Sequence, residues 1–331
     1  MRCVERIAVA ILCVLPIVGV AQTPTMACQN AAEYQLVELP FLPRLITNAG
    51  VVAGTNAVRR AVIWRQASGL EPLNVPEGFH YTEPAGFTKS GDVIVNATDK
   101  QSRVRRAFRY SKGAILPLAG NQTWVHGVGA SDVIVGERVL DGSARTDPVY
   151  WDRKQRPHSV EACCGGIIKA VNRTGEMIGN AYDEQGRYHA FVWSRSAGRR
   201  TLGPIEGFSA ALAINDASHI LYSAGKETYL VRGASSQPLE LSPKFQQSAQ
   251  AINNCNFVVG GQGPVFEAYR AFLWTDKAGF QDLNSFIPND KGWTLKIASA
   301  INDRGEIVGQ AELNGRDAGF LLIPKSGRDP T

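Results

Sequence analysis

A phrase that recurs seven times constrains the fold of this chain more than any other feature. In its clearest copy small residues lead into Asn302 and Asp303, Gly305 follows, and β-branched residues resume at Ile307. Asn and Asp side chains cap local backbone N–H groups and glycine accepts a positive φ, so the phrase predicts a strand, a tight turn and a second strand. Aligned on the Asn position, the copies begin at Thr47, Thr88, Gly129, Asn172, Asn215, Asn253 and Asn302, with spacings of 41, 41, 43, 43, 38 and 49 residues.

Two further phrases accompany most copies. An aromatic strand such as Ala271–Trp274 follows the turn, and a leucine-containing strand such as Phe280–Leu283 ends the unit. Four short strands in about 40 residues are typical of a propeller blade. The seventh unit stops at Pro324 without its last strand, and Tyr34–Leu39 supplies such a strand ahead of the first unit. Because an unpaired sheet edge invites aggregation, the sequence predicts an all-β, seven-bladed β-propeller closed by an N-terminal strand.

The paired phrases resemble those of the HAF-repeat family of bacterial extracellular proteins. The resemblance is carried by His189–Trp193 and Ala300–Gly309 and covers roughly residues 34–323. The fourth, sixth and seventh units match the pattern well, whereas the third and fifth depart from it. Membership would imply export and a propeller-like repeat, but no defined activity.

The N-terminus has the features of a signal peptide. Arg2 and Arg6 precede an apolar run, Ile7–Val20, and Ala21 fits the small-residue rule at a cleavage site. A retained membrane anchor is the alternative. We expect a signal peptide over 1–21, an N-terminal arm over 22–33, the propeller over 34–324 and a C-terminal tail over 325–331. The mature protein would be secreted or periplasmic, monomeric, and without a membrane span.

Charge does not indicate a nucleic-acid partner. The chain has 35 Lys and Arg against 30 Asp and Glu, a formal net charge of +5. This modest excess allows anionic partners without requiring nucleic acid. A hydrophobic content of 44% and a charged content of 20% are typical of a soluble globular protein.

The sequence contains no set of residues that indicates catalysis, a metal or a cofactor. The innermost strands, which read for example Ala211–Ile214, Gln250–Ile252 and Ser299–Ile301, offer few acids, bases or nucleophiles. The five histidines have no ligand spacing, and His126, near an innermost strand, is the best lone candidate. The Asn-Asp turns have one Asp at most, so turn formation explains them better than calcium binding does.

Arginine is frequent just before the aromatic strands. The residues at this position are Arg60, Arg106, Asp147, His189, Glu227, Arg270 and Ala318. Arginine suits carboxylate, sulfate or phosphate groups because its planar fork donates paired hydrogen bonds. The candidate ligand-binding residues are therefore Arg60, Arg105, Arg106, His189 and Arg270. A solvated rim of surface ion pairs is the alternative.

These observations predict a binding or interaction module with an unknown extracellular ligand, either an anionic glycan or a protein. Its binding surface would include the loops Gln101–Arg106, Glu137–Asp147 and Gly261–Arg270. One alternative is a propeller hydrolase or lyase that acts on extracellular polysaccharide, which two or more acids converging near the axis would favour. Another is a structural part of a secreted assembly.

Four cysteines remain after signal cleavage, and an exported chain with an even number suggests disulfides. Cys255 lies in the first turn of the sixth unit, and Cys28 precedes the closing strand on the same face, one blade away. Cys163 and Cys164 lie on the opposite face, across the ring, beyond the 7 Å or so that a disulfide spans. We expect a Cys28–Cys255 bond. Cys163 and Cys164 are either bonded to each other or two free thiols.

Overall fold

The computed structural model describes residues 31, 33–74, 76–99, 101, 104–120, 122–139, 145–160, 163–204, 206–239, 246–263, 269–287 and 292–325. The described part contains seven antiparallel four-stranded sheets and one short 3-10 helix, Leu283–Phe286. The prediction of an all-β, seven-bladed propeller is confirmed. Cys28 and the segment 1–21 lie outside the described residues.

Blades 1 to 6 each use four consecutive strands. Blade 1 comprises β2 (Leu42–Ile46), β3 (Val52–Thr55), β4 (Ala61–Arg65) and β5 (Gly69–Pro72). Blade 2 comprises β6 (Tyr81–Phe87), β7 (Val93–Thr98), β8 (Arg105–Ser111) and β9 (Ala114–Pro117). Blade 3 comprises β10 (Thr123–Val128), β11 (Ile134–Val139), β12 (Thr146–Trp151) and β13 (Pro157–Ser159).

The next three blades repeat this plan. Blade 4 comprises β14 (Gly166–Val171), β15 (Met177–Tyr182), β16 (Tyr188–Ser194) and β17 (Gly198–Leu202). Blade 5 comprises β18 (Ser209–Ile214), β19 (Ile220–Ala224), β20 (Glu227–Arg232) and β21 (Ser235–Pro238). Blade 6 comprises β22 (Gln246–Ile252), β23 (Val258–Gly263), β24 (Arg270–Thr275) and β25 (Gly279–Asp282).

Blade 7 joins the two ends of the described chain. It comprises β26 (Trp293–Ile301), β27 (Ile307–Leu313), β28 (Arg316–Pro324) and, as its outermost strand, β1 (Tyr34–Leu39). Strand β1 pairs with β28 in an antiparallel register that runs from Tyr34 opposite Pro324 to Leu39 opposite Gly319. Tyr34 and Leu39 are buried. The predicted closure by the N-terminal strand is therefore confirmed.

The repeated Asn phrase folds into the same turn in every blade. In blade 7 the Asn302 side-chain Oδ1 accepts hydrogen bonds from the backbone N–H groups of Arg304 and Glu306, both at 3.0 Å. These bonds support the turn-forming interpretation of the Asn-Asp pairs. The seven turns span 47–51, 88–92, 129–133, 172–176, 215–219, 253–257 and 302–306. We call the face that bears them the turn face, and the opposite face, which bears the loops between blades, the interblade face.

The same asparagines also fasten neighbouring blades to each other. Asn215 Nδ2 donates to the carbonyl of Asn253 at 3.1 Å, and Asn253 Nδ2 donates to that of Asn302 at 3.0 Å. Asn302 Nδ2 donates to the carbonyl of Thr47 at 2.9 Å, which joins blade 7 to blade 1. One residue type therefore shapes the turn and closes the ring.

The blades pack through the aromatic strands, as the sequence predicts. Phe191, Phe272 and Phe320 are almost fully buried. The glycine that ends the first phrase makes this packing possible: a Cβ on Gly309 would overlap the carbonyl oxygen of Ile297 and lie 2.7 Å from the ring of Phe320. Glycine at this position in blades 1, 3, 4, 6 and 7 thus lets the second strand lie close to its neighbours.

Candidate functional site: the axial channel

Every innermost strand contains a β-bulge at the same repeat position, three residues before its turn. A bulge leaves one residue outside the ladder and redirects its side chain. The bulged residues are Arg44, Ala85, His126, Lys169, Leu212, Gln250 and Ser299. All seven line one cavity of about 610 Å³, which we call the axial channel. The innermost strands contact each other in sequence around the ring, and β26 contacts β2.

The two sides of the axial channel differ in chemistry. Blades 1, 3 and 4 contribute Arg44, His126 and Lys169, whereas blades 5, 6 and 7 contribute the uncharged Leu212, Gln250 and Ser299. This corrects the expectation that the innermost strands offer few titratable groups, which is true of the last three blades only. The sequence contains a pattern that marks these residues, because each of them lies three positions before the turn of its blade.

The channel holds more positive than negative charge. Of the described residues that line it, Glu83 alone is acidic. Its carboxylate is 2.7 Å from the guanidinium of Arg44, so these two charges pair. Lys169 makes no ion pair with any residue that the structure describes. The lining therefore carries two permanent cations and one carboxylate, a surplus of one positive charge.

Lys169 is in an environment that penalises its charge. Its side chain is exposed to the open channel, but the protein around it still displaces part of its hydration shell. This desolvation lowers the pKa of Lys169, the charge of Arg44 lowers it further, and Glu83 partly opposes the effect. An anion beside the ammonium would compensate for the lost hydration and for the repulsion by Arg44.

The positive charges around the channel also affect His126. Burial, followed by the charges of Lys169, Arg105 and Arg44, lowers its pKa to about 4. Its Nε2 is buried and has no hydrogen-bond partner within the described part of the chain. At neutral pH the ring is uncharged, so His126 acts as a polar wall of the channel, and its pKa reports the local potential.

Arg105 is the predicted rim residue that the structure places beside the channel. Its guanidinium lies over the ring of Trp124, 5.3 Å from the centroid, and Trp124 lines the channel. Arg105 also pairs with Glu137 at 3.1 Å. Burial raises the pKa of Glu137, and the charge of Arg105 opposes this. Arg105 therefore contributes positive potential on the interblade side of the channel.

The other predicted binding residues are distributed around the ring on separate blades. Arg60 is exposed before β4, and Arg106 is half-buried at the start of β8. Arg270 pairs with Asp282 at 2.7 Å. His189 is buried, with its Nε2 3.1 Å from an Asp183 carboxylate oxygen. No single pocket found in the described chain contains all of these residues. Parts of the predicted binding loops, 102–103, 140–144 and 264–268, lie outside the described residues.

The adjacent cysteines are free thiols. Cys163 is exposed and Cys164 is half-buried, just before β14. Their Sγ atoms are 2.7 Å apart, with Cys164 as the donor, and this hydrogen bond raises the pKa of the Cys164 thiol. Of the two alternatives for this pair, the structure has the two free thiols.

Cys255 lies in the β22–β23 turn, on the turn face, and the predicted bond to Cys28 remains a prediction.

The fold is shared with solved propeller structures. Virginiamycin B lyase from Staphylococcus aureus superimposes with a TM-score of 0.57 at 12% identity, over 88% of this chain and 100% of that one. An acylaminoacyl peptidase from Pyrococcus horikoshii has a TM-score of 0.54 at 12% identity, over 88% of this chain and 52% of that one. A puromycin-hydrolyzing peptidase from Mycobacterium tuberculosis has a TM-score of 0.57 at 12% identity, over 87% and 53%.

These similarities show the propeller fold and nothing finer. The chain spans the whole length of the lyase and about half the length of each peptidase. No family model matches the chain, and no curated protein matches it in sequence. The described residues contain no helix that is long and apolar enough to cross a membrane, and no group of three or more His, Cys, Asp or Glu side chains arranged to hold a metal ion.

Proposed function

We propose that this protein is an exported binding module that takes an anionic group of its ligand into the axial channel. The observation that carries the proposal is Lys169, a partly desolvated cation without an anionic partner in the described structure. A charge that the fold has partly removed from water is costly unless an anion compensates it. The ligand classes predicted from sequence, an acidic glycan or a protein, both carry such groups.

The rim residues extend this proposal to the approach of the ligand. Arg105 lies beside the channel, Arg106 follows it on the same strand, and Arg60 and Arg270 lie at the position equivalent to Arg106 on blades 1 and 6. Cations around the mouth of a charged channel attract anions at long range and increase the rate of association. His189 is held by Asp183, so we assign it to the stability of blade 4.

Export, membership of the HAF-repeat family, a monomeric state and the Cys28–Cys255 disulfide are parts of the same proposal. The family resemblance and the basic-apolar N-terminus support export. A disulfide between the arm and the β22–β23 turn would tie the N-terminal segment to the turn face in an oxidising compartment.

A hydrolase or lyase is less well supported. Hydrolysis of a glycosidic bond typically uses a pair of carboxyl groups that flank the bond. The described lining has one carboxylate, Glu83, and Arg44 already pairs with it. This arrangement favours binding over catalysis.

The proposal can be tested with two probes, acetate as the bare carboxylate and oligogalacturonate as an acidic glycan. NMR of the histidine Cε1–H signals would follow each titration at low ionic strength. A carboxylate beside Lys169 should raise the pKa of His126 from about 4, because it offsets the cations that lower it. Added salt should weaken this effect.

Lys169→Met should weaken binding of both probes at least tenfold and raise the pKa of His126 only in part, because burial, the largest cause of its lowered pKa, remains. Lys226→Met, which removes an exposed lysine in the turn between β19 and β20, is the matched control and should bind as the wild type does. If neither probe moves the His126 signal, or if the two variants behave alike, the axial channel is not an anion site.

A further inference from the structure

Blades 5, 6 and 7 line the axial channel mostly with apolar side chains, beside the cation of blade 4. Blade 5 alone contributes three consecutive apolar side chains, and blades 6 and 7 continue the surface. The apolar lining residues of these three blades are Leu212, Ala213, Ile214, Ala251, Ile252 and Ile297. Water held against such a wall is released when an apolar group replaces it, which favours binding.

The cation and the apolar wall are neighbours. Lys169 and Leu212 are the bulged residues of blades 4 and 5, and their strands β14 and β18 contact each other. Each blade places its bulged side chain at the same level of the channel. A ligand that reaches Lys169 from the interblade face therefore meets Leu212 at the same depth.

The charge count indicates a ligand head with one negative charge. Arg44 is already neutralised by Glu83, which leaves Lys169 as the uncompensated cation of the lining. A carboxylate supplies one negative charge, whereas a doubly charged phosphate would leave a charge without a partner. The volume of about 610 Å³ is within the range of small-molecule sites, roughly 300–1,000 Å³.

We propose that the axial channel binds a small carboxylic acid with a short apolar body, an alkyl or aryl carboxylate, whose head pairs with Lys169 and whose body packs on the Leu212 side. This inference rests on the proposed function and narrows its ligand. An acidic sugar has a polar body, and its hydroxyl groups would lose hydrogen bonds to water against this wall.

Four probes separate the head from the body. Isothermal titration calorimetry of the full chain would compare hexanoate, acetate, hexanamide and galacturonate. Each methylene buried on the apolar wall should strengthen binding about fourfold. Hexanoate should therefore bind at least tenfold more tightly than acetate and galacturonate, even when only part of its chain is buried. Hexanamide has a similar body without charge and should also bind at least tenfold more weakly than hexanoate.

Two variants assign these effects to the wall and to the cation. Leu212→Gln introduces the residue that blade 6 has at the same position, so the ring already accommodates it. It should weaken hexanoate several-fold and leave acetate unchanged. Leu116→Gln, at an exposed leucine on the outer strand β9, is the control and should change neither. Lys169→Met should weaken both carboxylates.

The outcomes distinguish the two proposals. If acetate or galacturonate binds as tightly as hexanoate and Lys169→Met weakens them, the amphiphilic ligand is refuted and the anion site stands. If Leu212→Gln has no more effect on hexanoate than Leu116→Gln does, the apolar wall is not part of the site. If no carboxylate binds, or Lys169→Met changes nothing, both proposals are wrong.

Discussion

Replacing Asn302 with alanine tests how the ring is held closed. The substitution removes the acceptor of two backbone N–H groups, those of Arg304 and Glu306, and the donor to the carbonyl of Thr47. Asn302 itself is 4% exposed. The carbonyl of Thr47 keeps a second hydrogen bond from the N–H of Gly50 at 2.9 Å, so the two N–H groups are the ones that lose a partner.

These losses can be summed approximately. The N–H of half-buried Glu306 should cost about 1–3 kcal/mol when it loses its partner, and exposed Arg304, which can turn to water, about 1 kcal/mol. The lost bond to Thr47 adds about 1 kcal/mol. We therefore expect Asn302→Ala to lower the free energy of unfolding by about 3–5 kcal/mol.

Two companion variants separate the turn from the contact between blades. Blade 1 has Thr47 at this position, and its Oγ1 accepts the N–H of Val51 at 3.1 Å. Asn302→Thr should therefore keep part of the turn and lose the bond to blade 1, with an intermediate cost. Asn302→Asp keeps the acceptor but places a carboxylate beside Glu306 Oε2, which Asn302 Nδ2 now contacts at 2.6 Å.

Urea denaturation followed by tryptophan fluorescence would measure each change. The expected order of stability is wild type, then Asn302→Thr, then Asn302→Ala. An alanine variant within about 0.5 kcal/mol of the wild type would contradict the reasoning, since a buried side chain with four hydrogen bonds would then contribute nothing. A threonine variant as unstable as the alanine variant would show that the bond to blade 1, and not the turn, dominates.

Three further predictions follow from the fold, the channel and the cysteines. Deleting strand β1 should expose the edge of β28 and cause aggregation; a deletion variant that remains monomeric and as stable as the full chain on size-exclusion chromatography and thermal melting would refute the closure. The pKa of His126 is about 4 in the folded chain against about 6.5 when unfolded, so the unfolded state binds more protons between these values. Stability should fall by up to roughly 3 kcal/mol as the pH drops from 6.5 to 4, and urea midpoints of His126→Gln across this range should depend less on pH. Non-reducing peptide mapping should recover Cys28 joined to Cys255, and a peptide that joins Cys255 to Cys163 would overturn both the pairing and the assignment of the faces.

The sequence alone determined the architecture, because each blade is a local unit whose turns, glycines and aromatic strands recur at nearly constant spacing. In blades 4 to 7 the Asn side chain accepts hydrogen bonds from backbone N–H groups within four residues of it, so its role in the turn could be inferred without the fold. The closing strand was also predictable, since a unit that lacks a strand at one end of the repeat and a spare strand at the other can satisfy both edges only by pairing.

Only the tertiary structure brought the residues of the candidate site together. Arg44, His126 and Lys169 are 82 and 43 residues apart in sequence, and their shared spacing from the turns does not by itself show that their side chains reach the axis. The bulge that directs them to the axis depends on pairing with the second strand, and their convergence depends on closure of the ring. The balance of charge is likewise a property of the assembled channel, because the pairing of Arg44 with Glu83 of the next blade is what leaves Lys169 uncompensated.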